Sequence, residues 1–179
     1  MTEQEREKAV ALLTRTRLTL REAVAGVQYD EAKWKPYPDR WSILEYVEHL
    51  AISDDGLVSL VKRLLTEPAT PETLEERTAR EQHIKNTPIP RGANKAPHAL
   101  LPPGKFADLG EAMQAFEEAR DRTIEFTHSV QGDLRSHMSN HSVLGPLDAY
   151  QWLVGNARHA ETHSGHIREL RAQWAERGR

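Results

Sequence analysis

The chain has 179 residues, is 38% hydrophobic and 28% charged, and carries a net charge of −3, which is ordinary for a globular protein long enough to bury a core. It contains no cysteine, which excludes disulfides, thiolate metal ligands and a cysteine nucleophile of its own. Charges of both signs are interspersed and no segment approaches the ~18 apolar residues of a membrane span, so we expect a cytoplasmic protein without nucleic-acid or membrane partners.

The first predicted helix begins near Thr2, because Thr2 and Glu5 have the spacing of a capping box. Its apolar residues recur at steps of three and four, interrupted at Arg17, and they are Val10, Leu13, Leu20 and Val24. Gly26 is expected to end this helix. Residues 29–40 contain two prolines and are predicted to form a short connection.

A second helix is predicted to begin after Ser42, which has Glu45 as its capping-box partner. It carries the most regular apolar stripe of the chain, formed by Ile43, Val47, Leu50, Leu57, Val61 and Leu64. This stripe, missing only at Asp54, predicts a helix buried along one side of a bundle. His49 lies beside the stripe and can face the interior of the bundle, where a satisfied core histidine is the alternative interpretation.

The segment 66–105 contains seven of the ten prolines. Thr70 and Pro71 predict the start of one short polar helix that reaches about His83, and the rest is predicted to be irregular chain. A connection of this length between two helices indicates a crossover that covers a site. His83 and His98 are expected to be solvated.

A third long helix is predicted between Asp108, which with Glu111 forms its N-terminal cap, and Gly132. Its apolar stripe consists of Leu109, Met113, Phe116, Ile124 and Val130. The following loop, which contains His141, shows no strand-like alternation and no Asn-Gly or Asp-Gly hairpin turn. Pro146 then lies near the first turn of a fourth helix, where proline is favoured.

The fourth helix is predicted from about Leu147 to Trp174 and places His159 and His163 one turn apart on the same side. This spacing allows two imidazoles to bind one metal ion, although a solvated pair is the alternative. The helix has an apolar arc formed by Leu153, Ala157, Ala160, Ile167 and Leu170. His163 falls inside this arc and His159 lies at its border. His166 extends the same row.

Four amphipathic helices without a strand pattern predict an all-α fold, a four-helix bundle with a long proline-rich crossover between helices two and three. The length predicts a single domain over residues 1–179, with the crossover 66–105 inside it. The tryptophans Trp34, Trp41 and Trp152 are expected to belong to the core.

Three stretches, in this order, resemble the DinB/YfiT-like superfamily. They read RWSILEYVEHL at 40–50, HSVLGPL with YQWL at 141–153, and HAETH at 159–163. The likeness extends from about Leu20 to Leu170. The chain departs from many relatives at His166, where they carry glutamine three residues after the second histidine of the pair.

The resemblance implies that His49, His159 and His163 bind a divalent metal ion. Three neutral imidazoles would leave coordination positions open for water or substrate, as in catalytic sites, and zinc, nickel and iron all accept imidazole ligands. His166 is expected to be a hydrogen-bonded neighbour of the metal, with a fourth ligand or a proton shuttle as alternatives. This ligand set leaves the catalytic residue unassigned.

Two further residues are candidates for a catalytic role beside His166. His141 is expected near the pocket mouth, where a structural loop contact is equally plausible. Glu45 lies one turn before His49 and is expected either to orient its imidazole or to serve only in the helix cap.

The resemblance also implies a function, because the superfamily contains thiol-dependent transferases and isomerases and members described as metal-dependent hydrolases. We therefore expect a metal-dependent enzyme that acts on a small molecule together with a low-molecular-weight thiol. A hydrolase and a non-catalytic, stress-associated metal-binding bundle are the alternatives. A metal lowers the pKa of a bound thiol or water, and here any thiol must be a cosubstrate. The sequence is also compatible with a homodimer.

Overall fold

The computed structural model describes residues 1–87 and 97–177, which form four long helices, two shorter ones and one β-hairpin. The long helices are α1 (Glu3–Val24), α3 (Ile43–Leu64), α5 (Leu109–Ser129) and α6 (Ala149–Glu176). The remaining elements are α2 (Tyr29–Lys33), α4 (Leu74–Asn86), a 3-10 turn (His98–Leu100), β1 (Met138–His141) and β2 (Gly145–Asp148).

The long helices begin where the capping signals place them. Thr2 and Ser42 each accept a backbone N–H three residues later, and the glutamate at that position accepts the N–H of the cap in return, which satisfies two otherwise unpaired donors. Asp108 caps α5. Helix α6 begins after Asp148, slightly later than predicted, because Asp148 and Gln151 form another reciprocal capping box.

The four long helices pack in a ring in the order α1, α5, α3, α6, so the predicted four-helix bundle is confirmed. Their apolar stripes meet in two clusters along the bundle axis. The first cluster contains Leu20, Val47, Leu50, Phe116 and Ile167, and the second contains Leu57, Val61, Leu134 and Leu153. Among the described residues, no helix combines the length and apolar character needed to cross a bilayer.

The short helix of the crossover begins later than predicted. The expected start at Thr70 is wrong, because Thr73 forms the cap and has Glu76 at the position that completes a reciprocal capping box. This helix, α4, buries no residue and is held by charge, since Arg80 pairs with Glu72 and with the fully buried Asp148. The irregular chain predicted at 88–96 lies outside the described residues.

The prediction that the chain lacks strands is wrong for residues 138–148. Strands β1 and β2 pair antiparallel, with Met138 opposite Asp148 and His141 opposite Gly145. Each strand has four residues, too few for an alternating pattern to be evident. The turn needs no Asn-Gly pair, because Gly145 adopts a φ of +72°. A further difference is α2, which lies in the predicted connection 29–40.

Candidate metal centre

Three histidine side chains from α3 and α6 converge inside the bundle. The Nε2 atom of His159 lies 3.1 Å from Nε2 of His49 and 2.8 Å from Nε2 of His163. One ligand nitrogen from each ring lies within 4.8 Å of the others, an arrangement that could hold a metal ion. His49 is buried, whereas His159 and His163 keep part of their surface exposed. The structure thus brings together the three histidines named from the sequence.

The position of each imidazole follows from helix periodicity. His159 and His163 are one turn apart on α6, so their side chains project to the same side. His49 lies between Val47 and Leu50 in the sequence, and both of these residues are fully buried in the first cluster. Packing of the α3 stripe against α6 therefore turns His49 toward the two other rings.

A backbone carbonyl determines the tautomer of His49. Its Nδ1 lies 2.7 Å from the carbonyl oxygen of Leu100, and because a carbonyl can only accept, Nδ1 carries the proton. In the neutral ring, Nε2 then presents a lone pair to His159. This is the form in which an imidazole binds metal.

The donor set fits a metal ion. His159 can direct a single N–H toward at most one of its two Nε2 neighbours with good geometry, whereas a cation among the three atoms would engage all three lone pairs. Metal–imidazole bonds of about 2.0–2.1 Å in a tetrahedral site separate two ligand nitrogens by roughly 3.3 Å. The observed separations of 2.8 and 3.1 Å are close to that value.

Burial keeps the three imidazoles neutral. Burial, together with repulsion between the neighbouring histidines, lowers the pKa of His159 to about 3 and that of His163 to about 2. Burial also lowers the pKa of His49, an effect that the hydrogen bond to Leu100 partly opposes. At neutral pH all three rings are therefore available as ligands.

We expect the metal-free protein to lose stability as the pH falls from about 7 to about 5. The unfolded chain takes up protons on His159 and His163 below about pH 6.5, whereas the folded chain does so only near pH 3 or below, because the pKa values of these two residues are lowered to about 3 and about 2. Each such histidine reduces the free energy of unfolding by up to about 1.4 kcal/mol per pH unit.

Urea unfolding in the presence of a chelator measures this dependence. The matched control is the His159→Gln, His163→Gln variant, which lacks two of the titrating rings and should show a shallower decline over the same range. Parallel pH profiles for the two proteins would contradict the prediction.

The structure gives Glu45 the capping role. Its carboxylate accepts the N–H of Ser42 at 2.7 Å and pairs with Lys35 at 2.6 Å. The orienting contact to His49 that was one expectation for Glu45 is made by the carbonyl of Leu100. A backbone partner cannot be identified from side-chain type, which is why the sequence did not indicate it.

His166 lies against His163, whereas His141 belongs to the turn of the hairpin. The Nδ1 atom of His166 lies 3.3 Å from Nδ1 of His163, on the side of that ring away from its Nε2 atom. The Nδ1 atom of His141 accepts the N–H groups of Val143 and Leu144. His141 therefore has a structural contact within the hairpin turn.

Two aromatic side chains lie against the histidines. The ring centroid of Trp41 is 4.8 Å from that of His49 and 6.3 Å from that of His163. Tyr46 lies 5.1 Å from His163 and 5.6 Å from His166. Tyr46 was not identified as a site residue, although its spacing of three residues from His49 places both on one side of a helix.

The expectation that all three tryptophans belong to the core needs correction. Trp41 contacts the histidines, as described above, and is half-buried. Trp34 and Trp152 are also half-buried and pack at the edges of the first and second apolar clusters. An indole carries a polar N–H, so tryptophan is often only partly buried.

A buried polar layer separates the two apolar clusters. Arg120 of α5 and Asp54 of α3 are fully enclosed and form a two-pronged ion pair, with contacts of 2.7 and 2.8 Å. Burial raises the pKa of Asp54, and the charge of Arg120 opposes that rise. Asn156 of α6 accepts a hydrogen bond from Ser53 in the same layer. The gap in the α3 stripe at Asp54 marks this layer in the sequence.

Comparison with known proteins gives consistent matches. The sequence model of the DinB superfamily matches residues 12–167. The chain is 20% identical over 162 residues to the uncharacterized protein YuaE of Bacillus subtilis (strain 168), covering 90% of this chain and 96% of that protein.

Two solved structures share the fold. YfiT from Bacillus subtilis, described as a probable metal-dependent hydrolase with an unusual four-helix bundle topology, superposes with a TM-score of 0.67 at 18% identity, covering 98% of this chain and 90% of that chain. A conserved protein from Enterococcus faecalis superposes with a TM-score of 0.61 at 17% identity, covering 95% and 97% respectively.

Proposed function

We propose that this chain, which belongs to the DinB superfamily, is a metal-dependent hydrolase in which His49, His159 and His163 bind one divalent ion. The observation that carries the proposal is the convergence of three neutral imidazole nitrogens from two helices. The description of YfiT as a probable metal-dependent hydrolase, together with the shared fold, supports a hydrolytic reaction. A divalent ion held by three imidazoles keeps positions open for a small ligand and lowers the pKa of that ligand.

The protein residues around the ion have separate tasks. Burial holds the three rings in the neutral form and the carbonyl of Leu100 fixes the orientation of His49. The partly exposed surfaces of His159 and His163 leave a route from solvent to the centre. Trp41 and Tyr46 pack against His49 and His163 and form an aromatic wall beside the centre.

His166 is proposed to support His163 without binding the ion itself. If His163 held the ion through Nε2, its Nδ1 would carry a proton and could donate a hydrogen bond to Nδ1 of His166, 3.3 Å away. We therefore expect His166→Gln to retain the ion and to weaken its binding by no more than about 10-fold. Competition with a chromogenic chelator measures the affinity. A loss as complete as that caused by His163→Ala would make His166 a ligand.

The reaction is tested on protein reconstituted separately with zinc, nickel or iron. Turnover of a small chromogenic ester or amide, absent in a His49→Ala, His159→Ala, His163→Ala variant, is the expected result. The competing function is transfer of a low-molecular-weight thiol, which would have to be supplied in solution because the chain has no cysteine.

A second assay separates the two functions. The cobalt(II) form is mixed with a small thiol and then with the electrophile monochlorobimane. A sulfur-to-cobalt charge-transfer band and thiol consumption, without hydrolysis in the first assay, would replace the hydrolase by a thiol transferase. Silence in both assays would indicate a metal-binding bundle without turnover.

A further inference from the structure

A short segment of the crossover is bound to α3 beside the histidines. Residues 97–105, here called the strap, place two successive backbone N–H groups against one carboxylate. The N–H of Gly104 donates to one oxygen of Glu48 at 3.1 Å, and the N–H of Lys105 donates to the other at 2.5 Å. Glu48 directly precedes His49 on α3.

The Glu48 carboxylate is suited to anchor the strap. Glu48 is only 1% exposed, and a buried carboxylate requires hydrogen-bond donors. Gly104 has a φ of +76°, a left-handed conformation that glycine adopts without strain. Such a turn directs consecutive N–H groups toward a single anion. The glycine thus makes this two-pronged contact possible.

The strap connects this anchor to His49. The carbonyl oxygen of Leu100 accepts the hydrogen bond from Nδ1 of His49 at 2.7 Å. Only three residues separate Leu100 from Gly104. Two of the three are Pro102 and Pro103, whose rings fix the backbone φ angles. The two prolines therefore restrict the backbone between the Glu48 anchor and the carbonyl of Leu100.

We propose that Glu48 is a positioning residue of the metal centre, which holds the strap so that the Leu100 carbonyl orients His49 for metal binding. The inference rests on the proposed function, because it concerns a hydrogen bond that orients one of the same histidines. Loss of a hydrogen bond from a group outside the ligand set to a metal-binding histidine changes metal affinity by about 10- to 100-fold. Glu48 acts through two intermediate contacts, so the lower end of this range applies.

The first test is Glu48→Gln. Glutamine keeps one acceptor oxygen, but its NH2 group would face the second N–H and cannot accept a hydrogen bond from it. We expect cobalt(II) affinity, followed by absorption titration, to fall about 10-fold, and the amides of Gly104 and Lys105 to exchange hydrogen faster. The matched control is Glu45→Gln on the same helix, since glutamine also serves in a capping box, and its cobalt affinity should stay within about 2-fold.

A second variant keeps Glu48 and the core unchanged. Pro102→Gly, Pro103→Gly softens the link in a part of the strap that is not buried. We expect it to weaken cobalt binding several-fold while the Gly104 and Lys105 amides remain protected. This combination would not arise if Glu48 served only general stability.

The outcomes separate the inference from the proposed function. If the wild-type chain binds cobalt but both variants bind it as tightly as the wild type, Glu48 has no positioning role and the inference is overturned alone. An equal loss in Glu45→Gln would also overturn it, by showing a general effect on α3. If the wild-type chain binds no cobalt, the proposed metal centre is wrong and the inference fails with it.

Discussion

Replacing His159 and His163 by alanine is expected to reduce the bound metal from about one ion per chain to almost none. The variant loses two of three imidazoles that each place a ligand nitrogen within 4.8 Å of the others, and His49 alone cannot hold the ion against water. Loss of an outer contact alone weakens metal binding by 10- to 100-fold, so the loss of two direct ligands should exceed about 100-fold. Plasma mass spectrometry of the dialysed protein measures the metal content.

Two exposed histidines provide the control for this experiment. His83 on α4 and His98 in the 3-10 turn are both solvent-exposed, and their replacement by alanine should leave the metal content unchanged. Full metal occupancy in a His49→Ala, His159→Ala, His163→Ala variant would show that the ion binds elsewhere and would refute the proposed centre.

Arg120→Met is expected to destabilise the metal-free protein by about 3–5 kcal/mol. The substitution leaves the Asp54 carboxylate buried without its cationic partner, and both side chains of the pair are 0% exposed. Such a loss is a large fraction of the 5–15 kcal/mol by which typical domains are stable. Urea unfolding in the presence of a chelator, followed by circular dichroism, measures the effect.

The neighbouring pair Arg122–Asp55 provides a matched control. It joins the same two helices, α5 and α3, but its side chains are 55% and 69% exposed. Arg122→Met should therefore cost less than about 1 kcal/mol. A second comparison is the Asp54→Leu, Arg120→Met double variant, which removes both charges and should recover part of the lost stability. Equal effects of Arg120→Met and Arg122→Met would contradict the prediction.

The buried pair also bears on the geometry of the histidines. Arg120 reaches Asp54 on α3 and the hydroxyl of Thr16 on α1, so it ties three helices together. Asp54 follows His49 by five residues, and Asn156 precedes His159 by three. The polar layer thus lies about one turn from the histidines on each helix, and it restricts how α3 and α6 can slide past one another.

The main helices could be predicted from the sequence because their signals are local. The capping boxes at Thr2 and Ser42 involve residues three apart, and the apolar stripes repeat every three or four residues. The i,i+4 histidines of α6 follow from the same periodicity. Hairpin β1–β2 was not predicted, because paired strands of four residues are too short to show a periodic pattern, and the histidine–backbone contact in the turn leaves no signal in the sequence.

The contacts that make the histidines a site were decided only by the tertiary structure. His49 and His159 are 110 residues apart and meet because α3 packs against α6. The tautomer of His49 depends on the Leu100 carbonyl, 51 residues away, and every residue type offers such a carbonyl. Asp54 interrupts the apolar stripe of α3, and Arg120 stands among other charged residues of α5. Only packing shows that these two residues, 66 positions apart, form one enclosed pair. Residue type and spacing specify neighbours along one helix, whereas partners on different helices are specified by how whole apolar faces fit together.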